Sequence, residues 1–430
     1  MERLIRQLLL RLFTGERNIL FTRTAPSQEE LRVKLERIDT LGLYLHIPFC
    51  EQICPYCPYN KELYRSDLAV EYVNAVKKEM ESYAEIVRNK PITSFYIGGG
   101  TPTTMLHSGL ANMIEHMSRV FNLQCDIHLE SHPNHLSAAN LSEIQSMGVQ
   151  HLSIGVEALF DHHLKSLCRP YTVNEVKAAV ERAVSQGFKC VNVDVIFALP
   201  GQTYREIEET GQELVKLGVD QVAAYPLFRF PYTSMGMTNG ERNHVILRSL
   251  KRRRMLAIFE HIFYEAGYDR TSAWAFTRRG VPRYCSVTVP LYVGLGASGG
   301  SYLRDVFYLN TFRSAEYIRA LADRRTPIAL SVDLSDRMQR AGWLYWRIYE
   351  TRFSKADYRE RFGESIEDRY GRHLRFLQML GFLKVDGERI VLSDRGSFWL
   401  HACEDILSID YISKLWGAAK RDQWPEKVIL

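Results

Sequence analysis

Leu45-His46-Ile47-Pro48-Phe49-Cys50-Glu51-Gln52-Ile53-Cys54-Pro55-Tyr56-Cys57-Pro58-Tyr59-Asn60 carries three of the chain's eight cysteines on one short segment, spaced C-x3-C-x2-C. The apolar run before it, 41–47, reads as a strand, so the cysteines fall on the loop at that strand's C-terminal end. Three thiolates on one loop suit an iron-rich site. Four-iron clusters are usually held by four cysteine sulfurs, and a loop that supplies three leaves one iron open to a small ligand. A zinc site calls for paired C-x2-C ligands or for cysteine with histidine, and no second pair is present. Cys125, Cys168, Cys190, Cys285 and Cys403 stand singly, which argues against a disulfide framework and for a reducing cytoplasm.

The bulk composition bounds the alternatives. With 430 residues, 46% hydrophobic and 24% charged, the chain can bury a sizeable core and form two or three domains. A net charge of +5 is mild, far from the dense basic patterning of a nucleic-acid binder, and no nucleic-acid partner is expected. No apolar stretch reaches the roughly 18 residues needed to span a bilayer. Residues 1–13 have helical periodicity, with Leu4, Ile5, Leu8, Leu9, Leu12 and Phe13 on one face and Arg3, Arg6 and Arg11 mainly on the other. Such a helix lies in a membrane interface, peripheral at the inner face of the membrane, or docks on the body of the protein; the sequence leaves both readings open.

From residue 41 apolar runs alternate with helical patterns. Strands are expected at 41–47, 93–97, 126–131, 151–156, 190–197 and 221–226, with helices most clearly at 67–88, 105–120, 172–186 and 203–217. This alternation implies parallel βαβ units with right-handed crossovers, and six units are too few for an eight-stranded barrel. In barrel folds the chemistry sits at the C-terminal ends of the strands, and the unusual residues fall there. Strand two ends in Ile97-Gly98-Gly99-Gly100-Thr101-Pro102-Thr103, strand three in Glu130-Ser131-His132-Pro133, and strand four in Gly155-Val156-Glu157, followed by Leu167-Cys168-Arg169-Pro170. A glycine run lets backbone approach a ligand closely, though it also suits a tight turn. Strand five embeds Asp194 between Val193 and Val195. A carboxylate there is costly unless it is hydrogen-bonded to a neighbouring strand end or to a ligand hydroxyl or cation.

Together the cysteine loop, the HIPFC flank, GGGTPT, Glu130, Gly155-Val156, Arg169 and the run from Asn192 to Thr203 resemble, in order and spacing, the radical S-adenosylmethionine (SAM) superfamily. They resemble in particular its HemN-like branch, related to oxygen-independent coproporphyrinogen III oxidase. The resemblance covers residues 41 to about 302 and implies a partial (β/α)6 TIM-like barrel of the α/β class. It implies a [4Fe-4S] cluster on Cys50, Cys54 and Cys57, with SAM chelated at the open iron. Gly99, Gly100 and Thr101 would hold the SAM amino group, and Glu130 and Arg169 would grip the rest. Tyr44, Tyr56, Glu157 and Phe228 complete the expected cofactor set, and Asp194 would bind a second nucleotide-like ligand, making two SAM molecules. Reduction would come from a donor such as flavodoxin or ferredoxin. Glu157 departs from the branch, which usually has Gln there, and Tyr59 stands where the coproporphyrinogen oxidases carry a further cysteine.

Three domains are expected: a lead-in at 1–40, the radical SAM core at 41–305, and a C-terminal module at 306–430. In that module helical patterns at 334–351, 355–361 and 365–380 precede two short strands at 382–385 and 389–392 around Asp386-Gly387-Glu388, a hairpin signal. This order looks like a winged helix, which the resemblance implies is a lid or docking domain; base reading would need a basic recognition helix, and the third helix is mixed in charge. The basic run Lys251-Arg252-Arg253-Arg254 reads as a solvated helix face.

The resemblance leaves three functions open. Coproporphyrinogen oxidation is weakened by the missing cysteine and by the lack of an arginine set for four carboxylates. The branch's haem chaperones carry an HNxxYW segment where this chain has Val281-Pro282-Arg283-Tyr284-Cys285-Ser286-Val287, without the histidine. The third reading is the class C methyltransferase, in which a radical formed from one SAM activates the methyl of a second for addition to an sp2 carbon. The aromatic strand end Pro226-Leu227-Phe228-Arg229-Phe230-Pro231-Tyr232 suits a flat, lipophilic substrate, and a membrane-dissolved quinone such as menaquinone would also explain residues 1–13.

Overall fold

The computed structural model describes residue 16 and residues 18–87, 89–236, 245–284 and 290–430. The amphipathic segment 1–13 and Cys285 lie outside the described residues. Six parallel strands form the centre: β1 Leu41–Ile47, β2 Pro91–Gly99, β3 Ile127–Ser131, β4 Val149–Glu157, β5 Cys190–Phe197 and β6 Gln221–Pro226. Each pairs in parallel with the next in sequence. The crossovers run through α1 Ser66–Val87, α2 Leu110–Val120, α3 Ala138–Ser146, α4 Val173–Ser185 and α5 Tyr204–Lys216. β1 is buried along nearly its whole length, as expected for a parallel strand covered on both faces. That is why it reads in the sequence as an unbroken apolar run rather than an alternation. α4 and α5 start on the same reciprocal cap, Thr172 with Glu175 and Thr203 with Glu206, which satisfies the first free backbone N–H groups of each helix.

The sheet does not close. Beyond β6 it continues antiparallel through Ala275–Arg278 to Tyr268–Arg270. Beyond β1 the strand Tyr292–Leu295 adds in parallel, and an antiparallel series follows through Gly300–Leu303, Val306–Asn310, Ile328–Asp333, Leu20–Thr22 and Lys427–Ile429. The path through the described strands has two free ends, so the barrel is open. It crosses residue 305 without a break. Buried Glu79 of α1 pins the closing hairpin to the barrel, accepting from the Gly296 N–H at 2.8 Å, from Asn310 Nδ2 at 2.7 Å and from the Tyr317 hydroxyl.

The C-terminal helices are Asp336–Tyr349, Lys355–Phe362 and Ile366–Met379, with strands Arg352–Ser354, Leu383–Asp386 and Arg389–Leu392 paired so that the last lies in the middle. This is a winged-helix arrangement, with its own core around Trp343, Tyr358, Ile366 and Ile390. A long helix, Asp394–Arg421, then carries the chain back to the sheet. The basic run differs from its sequence reading. On α6 (Val245–Glu265), Arg252 and Arg253 are partly buried rather than solvated. Arg252 Nη2 donates to Leu227 O at 2.6 Å, and Arg253 pairs with Glu260 at 2.8 Å.

Candidate cluster and cofactor site

The site lies at the C-terminal ends of the strands. The loop after β1 makes one turn of pairing, Phe49–Cys50 against Glu62–Leu63. It is locked to the glycine loop after β2 by backbone bonds from Gly100 N–H to Ile47 O at 2.7 Å and from Thr101 N–H to Phe49 O at 2.8 Å. Glycine is required here on steric grounds. A Cβ on Gly100 would sit 2.7 Å from Phe49 O, and Gly99 has φ +123° with the His46 ring 2.6 Å from where its Cβ would stand. His46 itself braces the loop, its ring bonding Tyr44 Oη at 2.8 Å and Asn60 O at 3.0 Å; burial holds it neutral, down at about 4.

The three cysteines line one cavity of about 570 Å³. Burial pushes the Cys50 thiol up to about 11, and Cys57 also rises, so a compensating cation is needed to hold both as thiolates. Donors already face sulfur: Thr101 Oγ1 lies 3.6 Å from Cys50 Sγ and Arg169 Nη1 3.3 Å from Cys54 Sγ. Among the described residues, three ligand atoms drawn within 4.8 Å of one another occur only at His162, His163 and Glu206. The cysteine sulfurs therefore spread wider than a single ion would hold them. Three cysteines, two of them with thiols that burial pushes up and that need a cation, set too far apart for one metal, fit a multi-iron cluster.

Around the cysteines stand three half-buried carboxyls. Glu130 accepts from the Gly99 N–H at 2.9 Å and from Tyr96 Oη at 2.5 Å. Glu157 adopts φ +70°, a left-handed conformation unusual for a non-glycine residue, and stands 3.9 Å from Arg169 Nη2. Asp194 accepts from Ser153 Oγ at 2.7 Å and from Asn192 Nδ2 at 3.0 Å, which is how the sheet tolerates a carboxyl between two valines. Burial raises all three, Asp194 to about 7. Arg169 is the nearby counter-charge, fixed by bonds to Tyr171 Oη at 2.6 Å and Gly155 O at 2.8 Å.

Of the thirteen residues singled out in the sequence, twelve line this cavity; Tyr44 lies behind it, stacked on Tyr96 at 6.1 Å. The rest of the wall has no local motif. Tyr225 lies in β6, Trp274 in the turn between Tyr268–Arg270 and Ala275–Arg278, Tyr345, Trp346 and Tyr349 come from helix 336–349, and His401 and Asp405 come from helix 394–421. One signal was present: His401, Asp405, Ser408 and Ile412 recur at helical spacing and share one face.

Comparison with known proteins agrees with this fold. The radical SAM superfamily pattern matches residues 44–214 and the HemN C-terminal domain pattern residues 352–399. The heme chaperone HemW of Bacillus subtilis is 26% identical over 361 residues, 82% of this chain and 95% of its own length. The oxygen-independent coproporphyrinogen III oxidase of Cereibacter sphaeroides is 24% identical over 347 residues, 76% of each chain. The solved structure of coproporphyrinogen III oxidase HemN from Escherichia coli superposes with a TM-score of 0.72 at 18% identity, over 90% of this chain and 94% of that one, a likeness of fold.

Proposed function

We propose that this chain, which belongs to the HemN-like branch of the radical SAM superfamily, transfers a methyl group from a second SAM molecule to an sp2 carbon of a flat, lipophilic ring. When bound, the [4Fe-4S] cluster supplies the electron that cleaves SAM to methionine and a 5'-deoxyadenosyl radical. Cys50, Cys54 and Cys57 would hold the cluster. The Gly99–Thr101 loop and Glu130 would orient SAM, and Arg169 would steady both Cys54 and the SAM carboxylate. The aromatic wall would exclude water once cofactor and substrate fill the cavity.

The observation that carries the reading is the charge and character of the cavity. Glu51, Glu130, Glu157, Asp194 and Asp405 line it against Lys61, Arg169 and Arg283, and Arg283 is already paired with Glu350 at 2.8 Å. A porphyrinogen with four propionates would meet carboxyls rather than free cations, whereas a sulfonium cation would favour the ionised form of the carboxyls that burial raises. Tyr225, Phe228, Trp274, Tyr345, Trp346 and Tyr349 offer flat apolar faces. The buried Trp274 Nε1 has no hydrogen-bond partner, so a ring oxygen such as a quinone carbonyl, as in menaquinone, would satisfy it.

A second reading, tetrapyrrole oxidation or haem carriage, is favoured by relatives of that description aligned over 76–82% of the chain. One anaerobic experiment separates them. The cluster-loaded protein is given dithionite, methyl-labelled SAM and a membrane-lipid extract, and products are followed by mass spectrometry. S-adenosylhomocysteine, 5'-deoxyadenosine and label in a lipid ring are the expected set. 5'-Deoxyadenosine alone points to hydrogen abstraction from a tetrapyrrole-type substrate, and tight haem binding without SAM cleavage points to carriage; either result removes the methyl-transfer reading.

A further inference from the structure

Away from the cysteines, β4 and β5 are followed by two helix starts that meet. The short helix Asp161–Ser166 carries His162 and His163, and the first turn of α5 carries Glu206. We propose that these three side chains bind a divalent transition-metal ion, with zinc the best geometric match, which staples the two βα turns together.

The distances fit. Glu206 Oε1 lies 3.1 Å from His162 Nε2 and 3.5 Å from His163 Nε2, and all three ligand atoms fall within 4.8 Å of one another. Zinc bonds of about 2.0–2.1 Å at the tetrahedral angle set neighbouring ligand atoms about 3.3 Å apart, between the two observed values. The carboxylate is divided in a useful way. Its Oε2 accepts from the Thr203 N–H at 2.7 Å and from Thr203 Oγ1 at 2.9 Å, so the helix cap orients the group and leaves Oε1 facing the histidines. Outer hydrogen bonds of this kind fix metal-ligating carboxylates.

The independent observation is at His163. Its side chain is only 3% exposed, yet Nε2 is buried and makes no hydrogen bond. Protein interiors seldom leave a polar atom in that condition. If the contact were a simple cap, one carboxylate oxygen would have to satisfy two imidazoles, and it does not. A metal ion between them would, using a lone pair on each nitrogen. His162 is 63% exposed and gives the ion its path from solvent, with water completing the coordination.

The consequence reaches the cavity. His163 O accepts from the Leu167 N–H at 3.0 Å, and Leu164 O from the Arg169 N–H at 2.9 Å. An ion on His163 therefore fixes the turn that presents Arg169 to Cys54.

The test uses the full chain with its cluster reconstituted anaerobically, so that the cysteines are occupied. Zinc chloride is titrated against a chromogenic chelator, and metal per chain is counted by mass spectrometry after gel filtration. The wild type should retain one zinc beyond its iron. Because His162 is exposed, H162A should keep its fold and iron content while its zinc affinity falls by about tenfold or more. C50A/C54A/C57A should still retain the zinc. Absence of zinc on the wild type, equal affinity in H162A, or loss of the zinc with the cysteines overturns the proposal.

Discussion

Replacing Asp194 with Asn should raise the stability of the ligand-free protein above neutral pH and leave it nearly unchanged in acid. Burial pushes Asp194 up to about 7, with Glu157 and Glu130 adding to the effect against the hydrogen bonds from Ser153 and Asn192. The ordinary value is 3.8. A carboxyl raised on folding keeps its proton where the unfolded chain has lost it. Its contribution is therefore full below pH about 4 and declines as pH rises through 7. From pH 5 to above 7 about two pH units of that decline remain, or about 3 kcal/mol at 1.36 kcal/mol per unit. Asp194 faces the cavity, where water screens part of the charge, and halving gives about 1.5 kcal/mol as the lower bound. An unfolding entropy of about 2.1 cal/mol/K per residue over 430 residues is about 0.9 kcal/mol/K. The melting-temperature gap between D194N and wild type should thus widen by about 1.5–3 °C between pH 5 and pH 8.5. Asn preserves the local bonds, with its oxygen toward Asn192 Nδ2 and its amide toward Ser153 Oγ. Differential scanning fluorimetry of the cluster-loaded protein reads the gap, and saturating SAM should shrink it. A gap constant to within about 0.5 °C across that range would refute the assignment of Asp194 as a half-buried, cavity-facing acid.

Four other outcomes follow from the same geometry. G100A forces a Cβ to within 2.7–2.9 Å of the Phe49 and Pro48 backbone, so it should lose most of its iron while staying folded by circular dichroism; full iron loading would count against the loop packing. R169A removes the bonds to Cys54, Gly155 and Tyr171 and leaves half-buried Glu157 without its cation, a loss of about 3–5 kcal/mol that should lower the melting temperature by about 3–5 °C; a change under 1 °C would contradict the pairing. W343A empties the centre of the winged module, where Trp343 packs edge-on against Phe353 and Tyr358 at 5.6 and 5.4 Å. It should cost about 3–5 kcal/mol and make residues 336–392 the first site of limited proteolysis, with iron content retained. Deleting residues 1–13 should abolish co-sedimentation with anionic liposomes; unchanged sedimentation would leave the docking-helix reading.

What the sequence displayed was whatever is decided within a few residues. β2 and β4 extend only two residues or so beyond the expected 93–97 and 151–156, because strands covered on both faces announce themselves as apolar runs. The Cys50–Cys57 loop and the Gly98–Thr103 loop were equally visible, since their chemistry and close backbone approach need particular residues at fixed spacing. The antiparallel extension was not. Its strands are three to six residues long, too short to show a period, and the pairing of Leu20–Thr22 with Lys427–Ile429 spans nearly the whole chain. Arg252 and Arg253 misled for a related reason: a charge run looks solvated until Leu227 O, from the segment after β6, and Glu260, two turns further along the same helix, take up its charges.

The helix Asp394–Arg421 shows most clearly why half the cavity wall was invisible. A helix that faces a hydrophobic core carries a clean apolar stripe. This one faces a cavity, and the face it presents there holds His401, Asp405, Ser408, Ile409 and Ile412, a mixture that breaks the stripe. His401 is held within that face by Glu404 at 3.0 Å and lies against Trp274 and Tyr349. Burial raises Asp405 to about 7, against the opposing charge of Arg252. The residues that read as cofactor-binding therefore sit on the barrel, where spacing is constrained by the strands. Those that meet the remaining volume come mostly from helices 336–349 and 394–421, more than a hundred residues further on. The cofactor apparatus and the rest of the wall are thus set by different parts of the chain, and the motifs that mark the branch fall on only one of them.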